Sequence, residues 1–396
     1  MSDRFIVPEV PHEVADGTVQ RAPGELFPSP NALKLGVFGS NVSGGANGPS
    51  FAGEAWKLNN WQESEVVAAA ADRAGFEAFV PIVRWKGFEG PSGYWDRSYE
   101  TFLWGAGLAK ATERIRIFTT CLMATIHPVM AAKMGTTLDH ISGGRWGMNT
   151  VPGFHGPEFR MFGIELGDRS KRYRHAQEWL DIVYRLWETD EPFDFDGEFF
   201  DFEQAVCRPK PMQTPRPPIM NAGQSEEGRA FAVNNADMIF INSGDGAGIV
   251  PNIASIRQIA AEAKKEVSVW GNIHVLVRET EKEVAQAIGH YSREHGDPES
   301  VRRYMKVIMG TDSGAHAAIR ENPEAIDFTL LGGGNKTVHG TPEQVVDQII
   351  ALRELGIDGL TMTWNNYADD LERHMELVEP LLVEAGLRSP DSPRLG

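Results

Sequence analysis

The sequence predicts an α/β protein of the TIM (β/α)₈-barrel class, with insertions. Three observations carry that reading. Short apolar strands alternate with amphipathic helices along most of the chain, the order that builds a parallel sheet covered by helices. Eight strand candidates can be placed, where an open doubly wound sheet needs five or six. A length of 396 residues suits such a barrel once insertions are allowed.

Residues 1–31 carry Pro8, Pro11, Pro23, Pro28 and Pro30 with little periodicity. They read as an extended N-terminal arm and a candidate for contact with a neighbouring subunit. The barrel is expected over 32–388, followed by a C-terminal tail, 389–396. Leu33–Phe38 is the first strand. A helix over Glu63–Arg73 stops at Gly75, and Ala78–Val83 is the second strand. A helix over Thr101–Thr112 leads to a third strand, Ile115–Met123. Val129, Met130, Met134, Leu138 and Ile141 recur at helical spacing behind Pro128, a helix-starting proline. Gly143 and Gly144 end that helix, because glycine takes the left-handed conformation without penalty. Arg145–Val151 is the fourth strand. A long helix over about 171–187 follows. Ile219–Ala222, Met238–Ile241, Val267–Leu276 and Gly359–Thr363 complete the eight. Thr341, Pro342 and Gln344 make a capping box at a helix start. Residues 189–217 and 243–264 read as loops with limited regular structure. Residues 293–338 read as the main insertion and a candidate lid.

Lys and Arg number 38 against 55 Asp and Glu, a net charge of −17. That excludes the concentrated basic footprint of a nucleic-acid binder and disfavours an anionic membrane surface. No run approaches the roughly 18 apolar residues of a membrane span. The first residues lack the apolar stretch of a secretory leader, so a cytoplasmic protein is expected. Cys121 and Cys207 cannot form a disulfide framework or a thiolate metal site and read as small core residues.

The stretch Ser142–Glu158 (S-G-G-R-W-G-M-N-T-V-P-G-F-H-G-P-E) runs from a helix end through one strand into a loop rich in glycine, proline and aromatics. It places Asn149 where that strand meets its C-terminal loop, the catalytic face of a barrel. Three further features suit a phosphorylated cofactor. Arg172-Tyr173 opens the following helix, and arginine offers a fork of donors to phosphate. Ala222-Gly-Gln-Ser225 is a small-residue turn at a helix N-terminus, with N–H groups turned outward and the Ser225 hydroxyl beside them. Val83-Arg84 ends the second strand, where backbone can border a flat ring. The histidines show no H-x-x-x-H with a carboxylate at metal-ligand spacing, so no metal is expected. G-x-S-x-G, a P-loop and G-x-G-x-x-G after the first strand are all missing.

These segments resemble the bacterial-luciferase-like flavin monooxygenases, within them the branch of the pyrimidine and dimethyl sulfone monooxygenases. The matching pieces are N-V-S-G-G (41–45), G-F-E-A-F (75–79), K-G-F-E-G (86–90), S-G-G-R-W-G-M-N (142–149), P-E-F (157–159), S-K-R-Y (170–173), G-E-F-F (197–200), P-K-P (209–211) and A-G-Q-S (222–225). They lie within about 33–385 and are densest from 75 to 225. The resemblance implies a luciferase-like barrel binding FMN at the C-terminal strand ends. It matches Val83 and Arg84 to the segment lining the flavin ring, and Asn149 and Glu158 to flavin contacts. Arg172, Tyr173 and Ser225 match ribityl and phosphate contacts, and Thr120 with Asn149 an oxygen pocket.

The implied activity is that of a two-component monooxygenase. Reduced FMN comes from a separate NAD(P)H-dependent flavin reductase, and O₂ is activated as a flavin peroxide kept from water. The substrate is a small organic molecule, a heterocyclic amide or an organosulfur compound among the possibilities, and a homodimer or homotetramer is expected. Asn149 can donate and accept a hydrogen bond. Phe154, with Trp61, Trp85 and Phe88, is a candidate wall against water. His155 and His127 are acid–base candidates, and Arg84 an electrostatic partner for flavin or substrate. Phe154-His155-Gly156 stands where the pyrimidine enzyme has a tryptophan in its substrate loop, and His127-Pro128 where it has a proline pair, so the substrate pocket is expected to differ. Two alternatives keep the barrel: a deazaflavin (F420)-dependent oxidoreductase and a non-catalytic flavin-binding subunit.

Overall fold

The computed structural model describes residues 18–20, 26–53, 60–242, 249–308 and 323–390. Eight parallel strands close into a barrel: β1 (Lys34–Phe38), β2 (Ala78–Val80), β3 (Arg116–Leu122), β4 (Trp146–Val151), β5 (Ile219–Asn221), β6 (Met238–Asn242), β7 (Ser268–Val277) and β8 (Gly359–Thr363). Neighbours follow chain order, β7 pairing with both β6 and β8, and β8 pairs with β1 to close the ring. Each strand falls on one of the eight segments expected from the sequence. The helices α1 (Trp61–Arg73), α2 (Thr101–Ala111), α3 (Pro128–Ser142), α4 (Arg169–Glu188), α5 (Glu226–Asn235), α6 (Ile249–Ala263), α7 (Pro342–Glu354) and α8 (Tyr367–Leu377) flank them.

The local signals act as expected where they are strong. His127 caps α3 by accepting from the Val129 N–H, with Pro128 in the first turn. Gly143 ends α3 at φ 65°, a conformation that costs any residue with a Cβ. Thr341 and Gln344 form the capping box of α7.

Four segments differ from expectation. β2 stops at Val80, because Pro81 has no N–H to offer a neighbouring strand. Residues 189–217 hold an antiparallel hairpin, Phe193–Asp196 with Asp201–Ala205, whose Phe195 and Phe202 stack at 5.6 Å. Residues 243–264 contain α6, which buries Ile249, Ile253, Ile256 and Ala260 at helical spacing; Pro251 in its first turn disguises the pattern. The expected insertion ends in an added strand, Lys336–Gly340. It pairs with Ile273–Val277 of the ten-residue β7, beyond the point where β6 stops.

The barrel floor is filled from the N-terminal arm. Leu26 and Phe27 are buried with Ala78, Val80, Phe118, Met220, Met238 and Trp270, and the Phe27 and Trp270 rings lie 5.2 Å apart. A buried ion cluster seals the same end. Arg388 donates to both Glu77 oxygens at 2.9 Å and to Glu379 at 3.0 Å. Glu77 also accepts from Ser29, Asn31 and the Leu35 N–H. The described part of the arm therefore packs on its own barrel, while 1–17 and 21–25 lie outside the described residues. With the floor plugged, cavities remain at the opposite, C-terminal mouth, where barrel enzymes place their chemistry. Among the described residues no helix is long and apolar enough to cross a membrane.

Candidate active site

Strand pairing sets Thr120 of β3 directly beside Asn149 of β4. The Thr120 hydroxyl donates to the Pro81 carbonyl at 2.5 Å. Having given its one proton away, it can only accept from its other neighbour, so the Asn149 amide nitrogen must face it, at 3.1 Å. This chain of bonds fixes the orientation of Asn149. Its carbonyl oxygen is left buried with no partner among the described residues. A buried unpaired acceptor costs about 1–3 kcal/mol, and such atoms mark places where a ligand completes the bonding.

Beside this pair, the loop after β2 carries Val83 and Arg84. Arg84 is buried and donates to Glu158 at 3.0 Å, both side chains being about 5% exposed or less. The other Glu158 oxygen accepts from the backbone N–H of Trp85 at 2.6 Å and of Lys86 at 3.3 Å. Glu158 thus clamps the 84–86 backbone and neutralises the guanidinium. Burial pulls the Arg84 guanidinium below its ordinary range, and Glu158 opposes that. The guanidinium is ringed by aromatics, with its carbon 5.3 Å from the Phe88 centroid, 5.1 Å from Trp95 and 5.5 Å from Phe154. Its Nε has no partner. A cavity of ≈ 350 Å³ opens beside Arg84 and Thr120, lined also by Val83, Thr101, Leu122 and Ile126.

Phe154 is 47% exposed, at the rim. His155 is buried against Phe88 at 5.5 Å, and neither ring nitrogen has a partner. Burial, then the Arg84 charge, lower its pKa, so the imidazole is neutral at pH 7. His127 serves as the α3 cap and packs its ring on Phe200 and Phe202. Trp61 packs over Gly107 of α2, and Trp85 is an exposed ring edge-on to Phe162.

The second cluster lies where α4 meets α5. Ser225 caps α5, its hydroxyl accepting from the Gly228 N–H at 3.1 Å. Gly223 and Gly228 press together: a Cβ on Gly223 would stand 2.3 Å from the Gly228 carbonyl oxygen. A Cβ on Gly228 would stand 2.4 Å from the Tyr173 hydroxyl. The glycines therefore bring the Tyr173 hydroxyl against the first turn of α5. Arg172, next in sequence, donates to the Gly167 carbonyl at 3.2 Å. The Tyr173 phenol, the Ser225 hydroxyl and the α5 N-terminus thus meet, groups able to hold a phosphate, whereas among the described residues no hydrogen bond ties Arg172 to them.

Asn221 couples the two clusters, and sequence reasoning passed it over. Its amide donates to the Thr150 carbonyl at 2.7 Å, and its oxygen accepts from the Gly223 N–H at 2.9 Å. Its place just before A-G-Q-S, at the end of β5, was the available signal. Trp95 and Tyr304 were also missed. They lie far apart in sequence, yet their rings meet at 5.8 Å beside the Arg84 cage. Together with Phe38, Phe240 and Asn272 they line a second cavity, ≈ 570 Å³ and open to solvent. Tyr304 comes from the helix Pro298–Ile308 of the insertion. That helix is tied to the loop after β2 through Asp297, which accepts from the Ser92 N–H at 2.7 Å.

Comparison with known proteins gives the family and the fold. Residues 33–359 match the family of luciferase-like monooxygenases. The chain is 28% identical over 363 residues to the pyrimidine monooxygenase RutA of Acinetobacter baylyi, covering 89% of this chain and 95% of that one. It is equally 28% identical over 359 residues to an FMNH₂-dependent dimethylsulfone monooxygenase of Pseudomonas putida, covering 89% and 96%. Among solved structures, a riboflavin lyase (RcaE) crystallised with modified FMN and riboflavin superposes with a TM-score of 0.81 at 19% identity, over 91% of this chain and 94% of that one. At that identity the likeness speaks for the fold.

Proposed function

The chain belongs to the luciferase-like monooxygenase family, and on that premise we propose that it is the oxygenating component of a two-component system. It would take reduced FMN from a separate NAD(P)H-dependent flavin reductase and use O₂ to oxygenate a small neutral organic molecule, a heterocyclic amide or an organosulfur compound. In the net reaction one oxygen atom enters the substrate and the other leaves as water, with two electrons and two protons from the reduced cofactor. Bound reduced FMN supplies that reducing power; the protein supplies binding, orientation and dryness.

The observation that carries the reading is the unpaired Asn149 oxygen. Held by Thr120 and Pro81, it is an acceptor waiting for an N–H donor. The ring of reduced FMN carries one more such N–H along its central edge than the oxidised ring. Asn149 therefore favours the reduced form. Arg172, Tyr173 and Ser225 would hold the phosphate. Val83 and the clamped backbone beside Arg84 would border the ring, and Glu158 acts through its hold on Arg84. Because Glu158 cancels the Arg84 charge, the aromatic cage suits a neutral substrate better than an anion. Phe154 and Phe88 shield the centre from water. His155, neutral and unpaired, can take or give a proton at a ring nitrogen.

Two measurements test the reading together. Anaerobic titration of the protein with photoreduced FMN, followed by tryptophan fluorescence, should give saturable binding tighter than with oxidised FMN. Turnover under ¹⁸O₂ with uracil and dimethyl sulfone as first substrates, then a neutral heterocycle panel, should place one label in product. Binding of F420 in place of FMN, with no oxygen uptake, would move the chain to the deazaflavin enzymes.

A further inference from the structure

We propose that His290, Glu294 and His295 form a binding site for one divalent cation of the zinc class, on the insertion and independent of the flavin reading. Read as α-helix, H-Y-S-R-E-H sets Glu294 on the same face as His290, four residues on, but turns His295 away. At about 100° per residue, positions five apart point about 140° away from each other. The segment Gly289–Glu294 is instead a π-turn, closed by the His295 N–H donating to the His290 carbonyl at 3.1 Å. The wider turn brings positions i, i+4 and i+5 onto one face. One ligand atom from each of the three side chains lies within 4.8 Å of the other two. His290 Nδ1 stands 3.7 Å from a Glu294 oxygen, and the two imidazole centroids are 4.6 Å apart. π-Turns are rare and occur often at functional sites.

The donor set selects the ion. Two imidazoles and one carboxylate suit Zn²⁺, whereas Mg²⁺ and Ca²⁺ take oxygen ligands. Zinc bonds of about 2.0–2.2 Å place tetrahedral ligands about 3.3 Å apart, so the side chains need to close by about an ångström. Both histidines are half-buried and Glu294 is exposed. The site is also joined to the mouth of the barrel. The His295 carbonyl accepts from the Phe51 N–H at 2.7 Å and the Ser50 hydroxyl at 3.1 Å. The chain then runs directly into the helix that carries Tyr304. A bound cation would fasten the turn from which that helix starts.

The test uses the full chain, stripped with a chelator and titrated with ZnCl₂ by calorimetry. A parallel titration with CoCl₂ is read by visible absorption. One equivalent should bind, and His290→Ala, His295→Ala and Glu294→Gln should each weaken it by roughly tenfold or more. The cobalt complex should show tetrahedral bands that the histidine variants lose. Hydrogen exchange over 290–308 should slow on adding zinc. Glu294→Gln keeps the side chain's shape, and its metal-free unfolding midpoint should match the parent. No binding, or binding that all three substitutions leave unchanged, overturns the proposal and leaves the three groups as a surface ion pair and a ring contact. Neither result bears on FMN binding, which is measured separately.

Discussion

At the scale of single residues, the site turns on one amide. Asn149→Ala removes the orphaned acceptor without touching the fold, since the side chain bonds only Thr120 among the described residues. Product formation should fall about 10²-fold, the usual loss for one preorganised polar group. Affinity for reduced FMN should fall more than affinity for the oxidised form; equal losses would remove the donor–acceptor role assigned here. Two other buried residues govern pH response. Among the described residues His374 has no partner at either ring nitrogen and His274 has one, Asn365 at 2.9 Å. Burial pushes them down to about 3 and about 4. The unfolded chain protonates both near 6.5, so between those values it holds protons the folded state lacks. Their contribution is complete above about pH 6.5 and is lost as pH falls toward 4, by about 1.4 kcal/mol per unit for each. Urea midpoints taken from pH 7 to pH 5 should drop accordingly, and His374→Leu should flatten the slope. Of these residues, Asn149 was legible because a strand end marks it. His374 was not: a helical histidine facing the core looks in sequence like any other.

At the scale of elements, the turn into α5 is the sharpest test of how backbone builds a binding site. Gly228→Ala adds a methyl 2.4 Å from the Tyr173 hydroxyl and must push it away. Alanine favours the helix by up to about 1 kcal/mol, which offsets part of the crowding. The expected outcome is a roughly tenfold weaker FMN complex in a protein whose unfolding midpoint hardly moves, read by fluorescence titration and thermal melts. Sequence exposed this turn through its small residues. It hid α6 behind Pro251 and behind a glycine-rich approach, and it hid the 193–205 hairpin, where phenylalanines alternate with acids, inside a segment that reads as loop. The π-turn at 289–294 has no sequence signature, and at the α-helical period His295 falls about 140° from His290.

For the whole molecule, the closed sheet was legible and its roof was not. Eight strand segments announced themselves by short apolar runs between helices. The roof is made by Trp95, Tyr304 and the Arg84 cage, groups joined only by folding. The floor offers the global stability test. Arg388 bonds Glu77 and Glu379 in full burial. Arg388→Ala strands two carboxylates and should cost about 3–5 kcal/mol, seen as a large fall in urea midpoint with binding properties intact in whatever remains folded. A loss under 1 kcal/mol would mean that water reaches the cluster.

The long β7 has a consequence for the way such a chain diversifies. Its last residue, Val277, stands opposite Gly340 on the added strand. The described residues between them leave the wall of the barrel and return to it at neighbouring points of one ladder. The segment is therefore portable: its two junctions are already stitched to each other. A lineage can exchange this cassette, and with it the Tyr304 wall at the barrel mouth, while the eight strands beneath stay as they are.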